Sequence, residues 1–191
     1  EDAPRFVGHI RKEASRLVNL IEDIIRLSQL DEGRALPTEE VDLLALSEEV
    51  KAILENSAAE KNVSICISGN GFTIQGVRRM LQEIVYNLCD NAIKYNHNGG
   101  SVSVSVTQNE QDTVLTVKDT GIGIPEEDQK RVFERFYRVD KSRSREVGGT
   151  GLGLSIVKHG VMIHSGKITL NSVVGEGTEF IVTIPNKPKD V

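Results

Sequence analysis

One acid, two amides and one amine recur at helical spacing in the middle of the chain. Glu83, Asn87 and Asn91 are four residues apart, and Lys94 follows three residues later. Residues 76–95 are predicted to form a helix, on which this spacing places all four side chains on one face. Amide oxygens are hard ligands that suit Mg²⁺, and an ammonium group suits a phosphate. A merely solvated face is the alternative, but asparagine is an unfavourable choice for one because its side chain competes for the helix backbone.

A second candidate site follows a predicted strand. Asp119 comes directly after the strand that ends at Val117, and Gly121, Gly123 and Pro125 follow it. A carboxylate beside open glycine backbone can accept a hydrogen bond from an exocyclic amine such as that of adenine. A simple turn would explain the glycines, but it would not explain the acid, both glycines and the proline together.

A third stretch, GGTGLGL at residues 148–154, runs straight into a helix predicted over residues 152–164. Glycines at a helix N-terminus let backbone N–H groups approach an anion, which the helix dipole also favours. The stretch matches neither the P-loop nor the dinucleotide fingerprint, so it is a weak signal alone.

Residues 126–147, between the two glycine-rich stretches, form a basic segment. They predict either a mobile lid over a polyphosphate or a solvated charged loop. The basic residues are Arg131, Arg135, Arg138, Lys141, Arg143 and Arg145.

The elements that position these residues indicate an α+β fold. An apolar stripe predicts a long helix over residues 4–31, either a separate bundle helix or a core helix of the same domain. Gly33 and Pro37 interrupt it. Further helices are predicted over residues 44–60, 76–95 and 152–164, and strands over residues 40–43, 62–68, 72–75, 102–106, 113–117, 167–171 and 178–184. Together they predict one mixed sheet with about three helices on one face.

Composition narrows the function classes. The net charge of −5 among 191 residues argues against nucleic acid as a main partner. Cys66 and Cys89 each lie in an apolar run, which predicts two buried thiols, with a disulfide as the alternative. The histidines and cysteines have no metal-ligand spacing, and no stretch approaches the roughly 20 apolar residues of a membrane span.

In this order, the stretches resemble the nucleotide-binding boxes of sensor histidine kinases. The matching stretches are residues 83–95 for the N box, 119–125 for the first glycine box, 132–138 for the F box, 149–157 for the second glycine box and 175–180 for the last strand turn. Residues 5–33 also resemble the second dimerisation helix of the orthodox membrane-bound sensor kinases, close to the phosphate-sensing and cell-wall-sensing types.

The resemblance implies a Bergerat-type two-layer α/β sandwich over residues 41–188. A linker, residues 34–40, would join it to a truncated dimerisation domain, residues 1–33, that forms a homodimer in the whole protein. It also implies a kinase that binds Mg·ATP and transfers the γ-phosphoryl group to a histidine. That group would pass to an aspartate of a response regulator receiver domain, on the cytoplasmic side of a bacterial plasma-membrane sensor.

The same resemblance implies roles on the predicted helix. Glu83 would orient the incoming imidazole as acid or base, and Asn87 would ligate Mg²⁺. Asn91 and Lys94 would contact the ATP phosphates.

It implies further contacts around the base and the lid. Asp119 would bind the adenine amine, and Thr178 would lie near the adenine. Tyr95 would lie against the adenine or the ribose. Other implied nucleotide contacts are Gly121, Gly123, Ile124, Arg138, Lys141, Gly149, Thr150, Gly151, Leu152 and Gly153.

The sequence departs from the family at the phosphoacceptor. The family carries it in a His-Glu/Asp-x-Arg-x-Pro stretch, and this sequence has none. His9, His97, His159 and His164 lie in other contexts, so we expect structural or surface roles for them. We therefore expect a fragment that begins inside the dimerisation helices, binds ATP and does not phosphorylate itself.

Two other functions share these motifs. An ATP-driven clamp, as in the gyrase B, chaperone and mismatch-repair relatives of the same superfold, would hydrolyse ATP with a water activated by the equivalent acid. An interaction module would carry an inactive nucleotide site, which the intact acid, amide and glycine set disfavours.

Overall fold

The computed structural model describes residues 37–139 and 150–186, together with five positions nearer the N-terminus. These five, Val7, Ala14, Leu17, Val18 and Ile21, are helical and exposed. The remainder of the helix predicted over residues 4–31 lies outside the described residues.

Residues 37–139 and 150–186 contain seven strands and four helices, in the order β1, α1, β2, β3, α2, β4, β5, α3, α4, β6, β7. The strands are β1 (Glu39–Asp42), β2 (Ser64–Gly69), β3 (Thr73–Gly76), β4 (Ser101–Gln108), β5 (Asp112–Asp119), β6 (Lys167–Val173) and β7 (Gly177–Pro185). The helices are α1 (Leu43–Glu60), α2 (Arg78–Lys94), the short α3 (Glu126–Gln129) and α4 (Gly153–Ile163).

The large sheet has five strands in the order β2-β4-β5-β7-β6. It is mixed, as predicted, because β2 runs parallel to β4 and the other pairs are antiparallel. The prediction of a single sheet was wrong, since β1 and β3 pair with each other in a separate two-stranded sheet. Alternation of apolar residues identifies the buried face of a strand, but it does not identify the partner strand.

Helices α1, α2 and α4 cover one face of the large sheet. Val102, Val104 and Val106 of β4 are buried towards them. Between α2 and α4, a β-carbon at Gly160 would lie 3.2 Å from the Ile84 side chain, so this glycine lets the helices approach closely. The α+β two-layer architecture predicted from the sequence is confirmed.

The two thiols have different environments. Cys89 is buried on α2, and Cys66 is exposed on the edge strand β2, so the prediction of two buried thiols was wrong for Cys66. Both cysteines are free, as predicted. Ile65 and Ile67 are turned inwards, and strand alternation therefore turns Cys66 to the open face.

None of the described helices is both long and apolar enough to cross a membrane.

Candidate functional site

Helix α2 presents its polar residues along one side, because its apolar residues are buried in the core on the other side. Leu81, Ile84 and Leu88 are at most 1% exposed. The predicted acid Glu83 and the first amide Asn87 are half-buried beside them. Glu83 and Asn87 therefore both lie at the edge of the buried face of α2.

The Asn87 side chain has a fixed orientation. Its Nδ2 donates to the Glu83 carbonyl oxygen at 2.8 Å. Its Oδ1 lies 2.7 Å from where a β-carbon of Gly153 would be, at the start of α4. The amide oxygen thus faces the second glycine stretch, although the two residues are far apart in sequence. Glu83 itself lies 3.4 Å from Arg79, measured from Oε1 to Nε.

Lys94 is paired within its own helix. Its Nζ lies 2.6 Å from Oδ2 of Asp90, with side-chain exposures of 37% and 15%. Asp90 belongs to none of the predicted sites, although its position four residues before Lys94 is the usual signal for such a pair. Asn91 is half-buried on the neighbouring turn.

The end of α2 is joined to the first glycine loop. The Tyr95 carbonyl oxygen accepts from the Ile122 N–H at 3.0 Å. The buried Asn96 donates from Nδ2 to Ser101 O at 3.0 Å, and its Oδ1 accepts from the Thr120 hydroxyl at 3.3 Å. Asn96 lies outside every box, whereas Thr120 lies within the first glycine box at a position to which no role was assigned.

Asp119 lies at the end of β5 and is 8% exposed. Its Oδ1 accepts from Gly121 N at 2.8 Å and from Thr178 N at 3.2 Å. Its Oδ2 receives no hydrogen bond from any residue in the described ranges. Burial raises the pKa of the Asp119 carboxyl above its usual range, and the two backbone hydrogen bonds offset part of that rise. One oxygen is therefore fixed and the other is available to a donor.

Gly121 is required by close packing. A β-carbon there would lie 2.4 Å from the Tyr95 carbonyl oxygen and 2.8 Å from Asp119 Oδ1. The loop backbone and the carboxylate could not both keep these positions with a larger residue.

The next part of the loop lies against the β6–β7 hairpin. Gly123 has φ +69°, and a β-carbon there would lie 2.1 Å from the Val173 carbonyl oxygen. The Ile124 N–H donates to Ser172 Oγ at 2.8 Å. Gln129 Nε2 donates to both the Ile124 and the Ser172 carbonyl oxygens at 3.0 Å. Ser172 and Gln129 were not predicted, because their role depends on contacts between separate elements.

The F-box segment is anchored by aromatic contacts. Phe133 meets Phe180 of β7 edge-on, with ring centroids 6.2 Å apart and planes at 84°. The Tyr137 hydroxyl donates to Asp128, and the Arg131 guanidinium lies 4.2 Å from the centre of the Tyr137 ring.

The segment also reaches the second glycine stretch. The Phe136 N–H donates to Gly151 O at 2.9 Å, with both residues at positive φ. Nε and Nη2 of Arg138 are buried without a hydrogen-bond partner in the described ranges. Lys141, Gly149 and the rest of residues 140–149 lie outside the described residues, so the predicted lid is described only as far as residue 139.

The second glycine stretch leads into α4. The Leu152 N–H donates to Thr150 Oγ1 at 3.3 Å. The Leu152 side chain is fully buried beside Ile156, so it anchors this turn by packing. Gly153 is the first residue of α4, where the helix begins as predicted to within one residue.

The histidines divide into different environments. His164 is structural, since its Nε2 accepts from Val77 N–H at 3.0 Å and its Nδ1 lies 2.7 Å from Gly160 O. His159 Nε2 is buried without a partner in the described part of the chain, and His97 is exposed. His9 lies outside the described residues.

Within the described ranges, no group of three or more histidine, cysteine, aspartate or glutamate side chains could hold a metal ion. The amide oxygen of Asn87 is a single hard donor. That donor set fits a Mg²⁺ ion whose remaining ligands come from a nucleotide and water.

Comparisons with known proteins identify the class. Residues 76–188 match the family described as histidine kinase-, DNA gyrase B-, and HSP90-like ATPase, and the chain belongs to this family. It carries the ATP-binding catalytic core of the sensor histidine kinases, which confirms the resemblance found in the boxes.

The similar proteins are themselves sensor kinases. The sensor-like histidine kinase SenX3 of Mycolicibacterium smegmatis is 41% identical over 188 residues, covering 96% of this chain and 48% of that protein. The sensor histidine kinase WalK of Bacillus subtilis is 34% identical over 198 residues, covering 97% of this chain and 31% of that protein. The solved structure of histidine kinase ThkA in complex with response regulator protein TrrA has a TM-score of 0.79 and 25% identity, covering 100% of this chain and 53% of that one. The chain thus spans about half, or less, of the curated relatives that it matches.

Proposed function

We propose that the chain binds Mg·ATP between α2, the Asp119 loop and the start of α4, and donates its γ-phosphoryl group to a histidine on a dimerisation helix. The observation that carries this proposal is Asp119, a buried carboxylate with one oxygen fixed by two backbone N–H groups and the other without a hydrogen bond from any described residue. Oδ2 is therefore the carboxylate oxygen to which a donor on a ligand could bond.

The adenine amine is the donor that this acceptor fits. Thr178 adjoins Asp119 through its N–H, and Tyr95 adjoins the same loop through its carbonyl oxygen. Both residues therefore border the proposed base site. A charge-assisted bond from the amine to Oδ2 would select the base.

The phosphates would lie towards the polar face of α2. Asn87 would hold Mg²⁺ through Oδ1, and Asn91, Lys94 and the N-terminus of α4 would contact the phosphate oxygens. When bound, Mg²⁺ would neutralise charge on the phosphates during transfer. Lys94 has three N–H donors, so it can contact a phosphate while retaining Asp90.

Glu83 would orient the incoming imidazole at the far end of the phosphates. The acceptor histidine would belong to a dimerisation helix, and the phosphoryl group would pass to a receiver-domain aspartate. We propose that residues 1–33 belong to the dimerisation helices and residues 41–188 to the ATP-binding domain. By analogy with the matched sensor kinases, the whole protein would be a homodimeric membrane sensor with this part in the cytoplasm.

Calorimetric titration with ADP tests the base site. Asp119→Asn should weaken ADP binding by roughly 1.5–3 kcal/mol, because a charge-assisted hydrogen bond is lost. The matched control is Asp112→Asn, at the other end of the same strand and on the opposite face. Equal ADP affinity in the Asp119 variant and the unmodified protein would overturn the adenine assignment.

A second titration tests the metal. Asn87→Ala should weaken binding of Mg·ATP more than binding of metal-free ATP, since the amide oxygen is a ligand of the ion. Equal weakening with and without Mg²⁺ would assign Asn87 a purely structural role.

Incubation with γ-labelled ATP tests the transfer. The chain should place an acid-labile label on a separately produced dimerisation domain that carries an acceptor histidine. Glu83→Gln should reduce this labelling while retaining ADP binding. Release of inorganic phosphate without a labelled histidine would instead support an ATP-driven clamp. Label on His9, His97, His159 or His164 of this chain alone would contradict the acceptor assignment.

A further inference from the structure

Ser172 lies outside every box of the motif, yet its hydroxyl is a junction of three elements. It is half-buried on the inner face of β6. Its Oγ lies 2.8 Å from Ile124 N, 2.9 Å from Gly177 O and 3.0 Å from Thr178 Oγ1. These three contacts use the full capacity of a hydroxyl group, which is one donor and two acceptors.

The direction of each bond follows from the partners. The Ile124 N–H can only donate, and the Gly177 carbonyl oxygen can only accept. The single Ser172 hydrogen is therefore directed to Gly177, and its remaining lone pair faces Thr178. Consequently the Thr178 hydroxyl must be the donor in the contact between the two side chains.

This assignment fixes what Thr178 can offer a ligand. Its hydroxyl hydrogen points to Ser172, and its backbone N–H is bonded to Asp119 Oδ1 at 3.2 Å. The side chain therefore has acceptor lone pairs left and no donor. Asp119 likewise offers an acceptor, so the two neighbouring residues present acceptors together.

We propose that Ser172 is a specificity-determining positioning residue, which holds the Thr178 hydroxyl as an acceptor and so makes the site select a 6-amino purine over a 6-oxo purine. The inference rests on the proposed function, in which Asp119 binds the adenine amine. A 6-amino group donates to acceptors. A 6-oxo group is itself an acceptor. A freely rotating Thr178 hydroxyl could turn to donate to it, but the hydroxyl held by Ser172 cannot.

The loop should stay in place when Ser172 is changed. Gln129 holds Ile124 and β6 together through two hydrogen bonds to carbonyl oxygens. Gly175 N also donates to Ile122 O at 2.9 Å. A change in base selectivity can therefore be measured without losing the loop.

Titration with ADP and IDP, which differ at the 6-position of the purine, tests the inference. Ser172→Ala removes the acceptor for the Thr178 hydroxyl, so ADP affinity should fall about 3- to 10-fold, the scale of one hydrogen bond. IDP affinity should stay constant or rise, which lowers the ADP-to-IDP preference. Ser172→Thr restores the hydroxyl and should restore the preference. Thr169→Ala, exposed on the opposite face of the same strand, is the matched control.

If Ser172→Ala weakens ADP binding and IDP binding equally, the inference is overturned and Ser172 is a structural residue. Unchanged affinity for both nucleotides would overturn it as well. If Ser172→Ala does not fold by circular dichroism, Thr178→Val and Thr178→Ser provide the comparison. Loss of preference is expected for valine but not for serine, and equal preferences would overturn the inference. A failure of the unmodified protein to prefer ADP would contradict the proposed function itself.

Discussion

The amide oxygen of Asn87 on α2 lies 2.7 Å from the point that a β-carbon of Gly153 would occupy at the start of α4. Because the Asn87 Nδ2 is bonded to the Glu83 carbonyl oxygen, the amide cannot turn away without losing that bond. Gly153 thus provides the space in which the proposed metal ligand is held. This explains a glycine at a helix position where the backbone does not require one.

Gly153→Ala should separate binding from stability. Gly153 is the first residue of α4 and does not adopt a positive φ, so its backbone conformation is open to alanine. The added carbon meets the far end of a side chain, so the fold should tolerate it while the Asn87 amide is displaced. We expect an unchanged or raised melting temperature together with weaker Mg·ATP binding. A large drop in the melting temperature would instead show that Gly153 is needed for folding.

Gly123→Ala should disrupt the first glycine loop, and Gly175→Ala provides a matched comparison. Both glycines have positive φ, at which a residue with a β-carbon is strained by about 1–2 kcal/mol. At Gly123 the β-carbon would also lie 2.1 Å from Val173 O, whereas nothing lies within 4 Å at Gly175.

Urea unfolding and ADP titration distinguish the two glycine variants. Gly123→Ala should lose more stability than Gly175→Ala and should also lose ADP affinity. Similar losses in both variants would mean that strain alone matters and that the loop can move away from the hairpin.

The sequence predicted the boxes because each is a local pattern. Glu83 and Asn87 share a helix face by spacing alone, and Asp119 is indicated by its place at a strand end. Ser172 and Gln129 could not be found in this way. Their contacts with Ile124 depend on how the hairpin lies against the loop, and no short-range spacing encodes that arrangement.

The misassigned features have the same origin. The alternation in β1 and β3 indicated strands correctly, but their pairing into a separate sheet is a tertiary choice. Cys66 lies in an apolar run, and its exposure follows from which face of β2 the helices cover. Both depend on partner elements rather than on the local sequence.

ADP affinity should decline in mild acid through protonation of Asp119. An ordinary aspartate has a pKa of about 3.9. Burial raises the pKa of Asp119, so its carboxylate takes up a proton at a higher pH than an ordinary aspartate does. Binding that needs the ionised form is lost as the pH falls through that raised pKa. The test is ADP titration across this range, with Asp119→Asn as the reference for other titrating groups. Parallel pH profiles in the two proteins would contradict the assignment.

In the unliganded protein, the contribution of Asp119 to folding stability should change with pH in the opposite direction to its contribution to ADP binding. Since the pKa is higher in the folded state than in the unfolded state, the Asp119 contribution favours folding at low pH and is lost as the pH rises through the raised pKa. The difference in unfolding free energy between Asp119→Asn and the unmodified protein should therefore grow in favour of the variant as the pH rises. A pH-independent difference would show that burial does not perturb this carboxyl.

His164 joins the end of α4 to the start of α2 through both nitrogens of its ring. Its Nδ1 must carry a hydrogen to donate to Gly160 O, and its Nε2 must be unprotonated to accept from Val77 N–H. Burial lowers the pKa of His164, and the bond to Gly160 O offsets part of that effect. Only the neutral ring satisfies both partners.

Protonation would replace the Nε2 acceptor by a donor facing the Val77 N–H. The stabilisation that the neutral His164 ring gives the folded state is therefore fully present above the usual histidine pKa of about 6.5. It is lost as the pH falls from there through the lowered pKa of His164. An unsatisfied buried N–H costs about 1–3 kcal/mol. Urea unfolding at pH 8 and pH 5 should show a larger loss for the unmodified protein than for His164→Gln, with the exposed His97→Gln as control. The same loss in His164→Gln would mean that other groups cause the acid sensitivity and that the ring keeps its partners when charged.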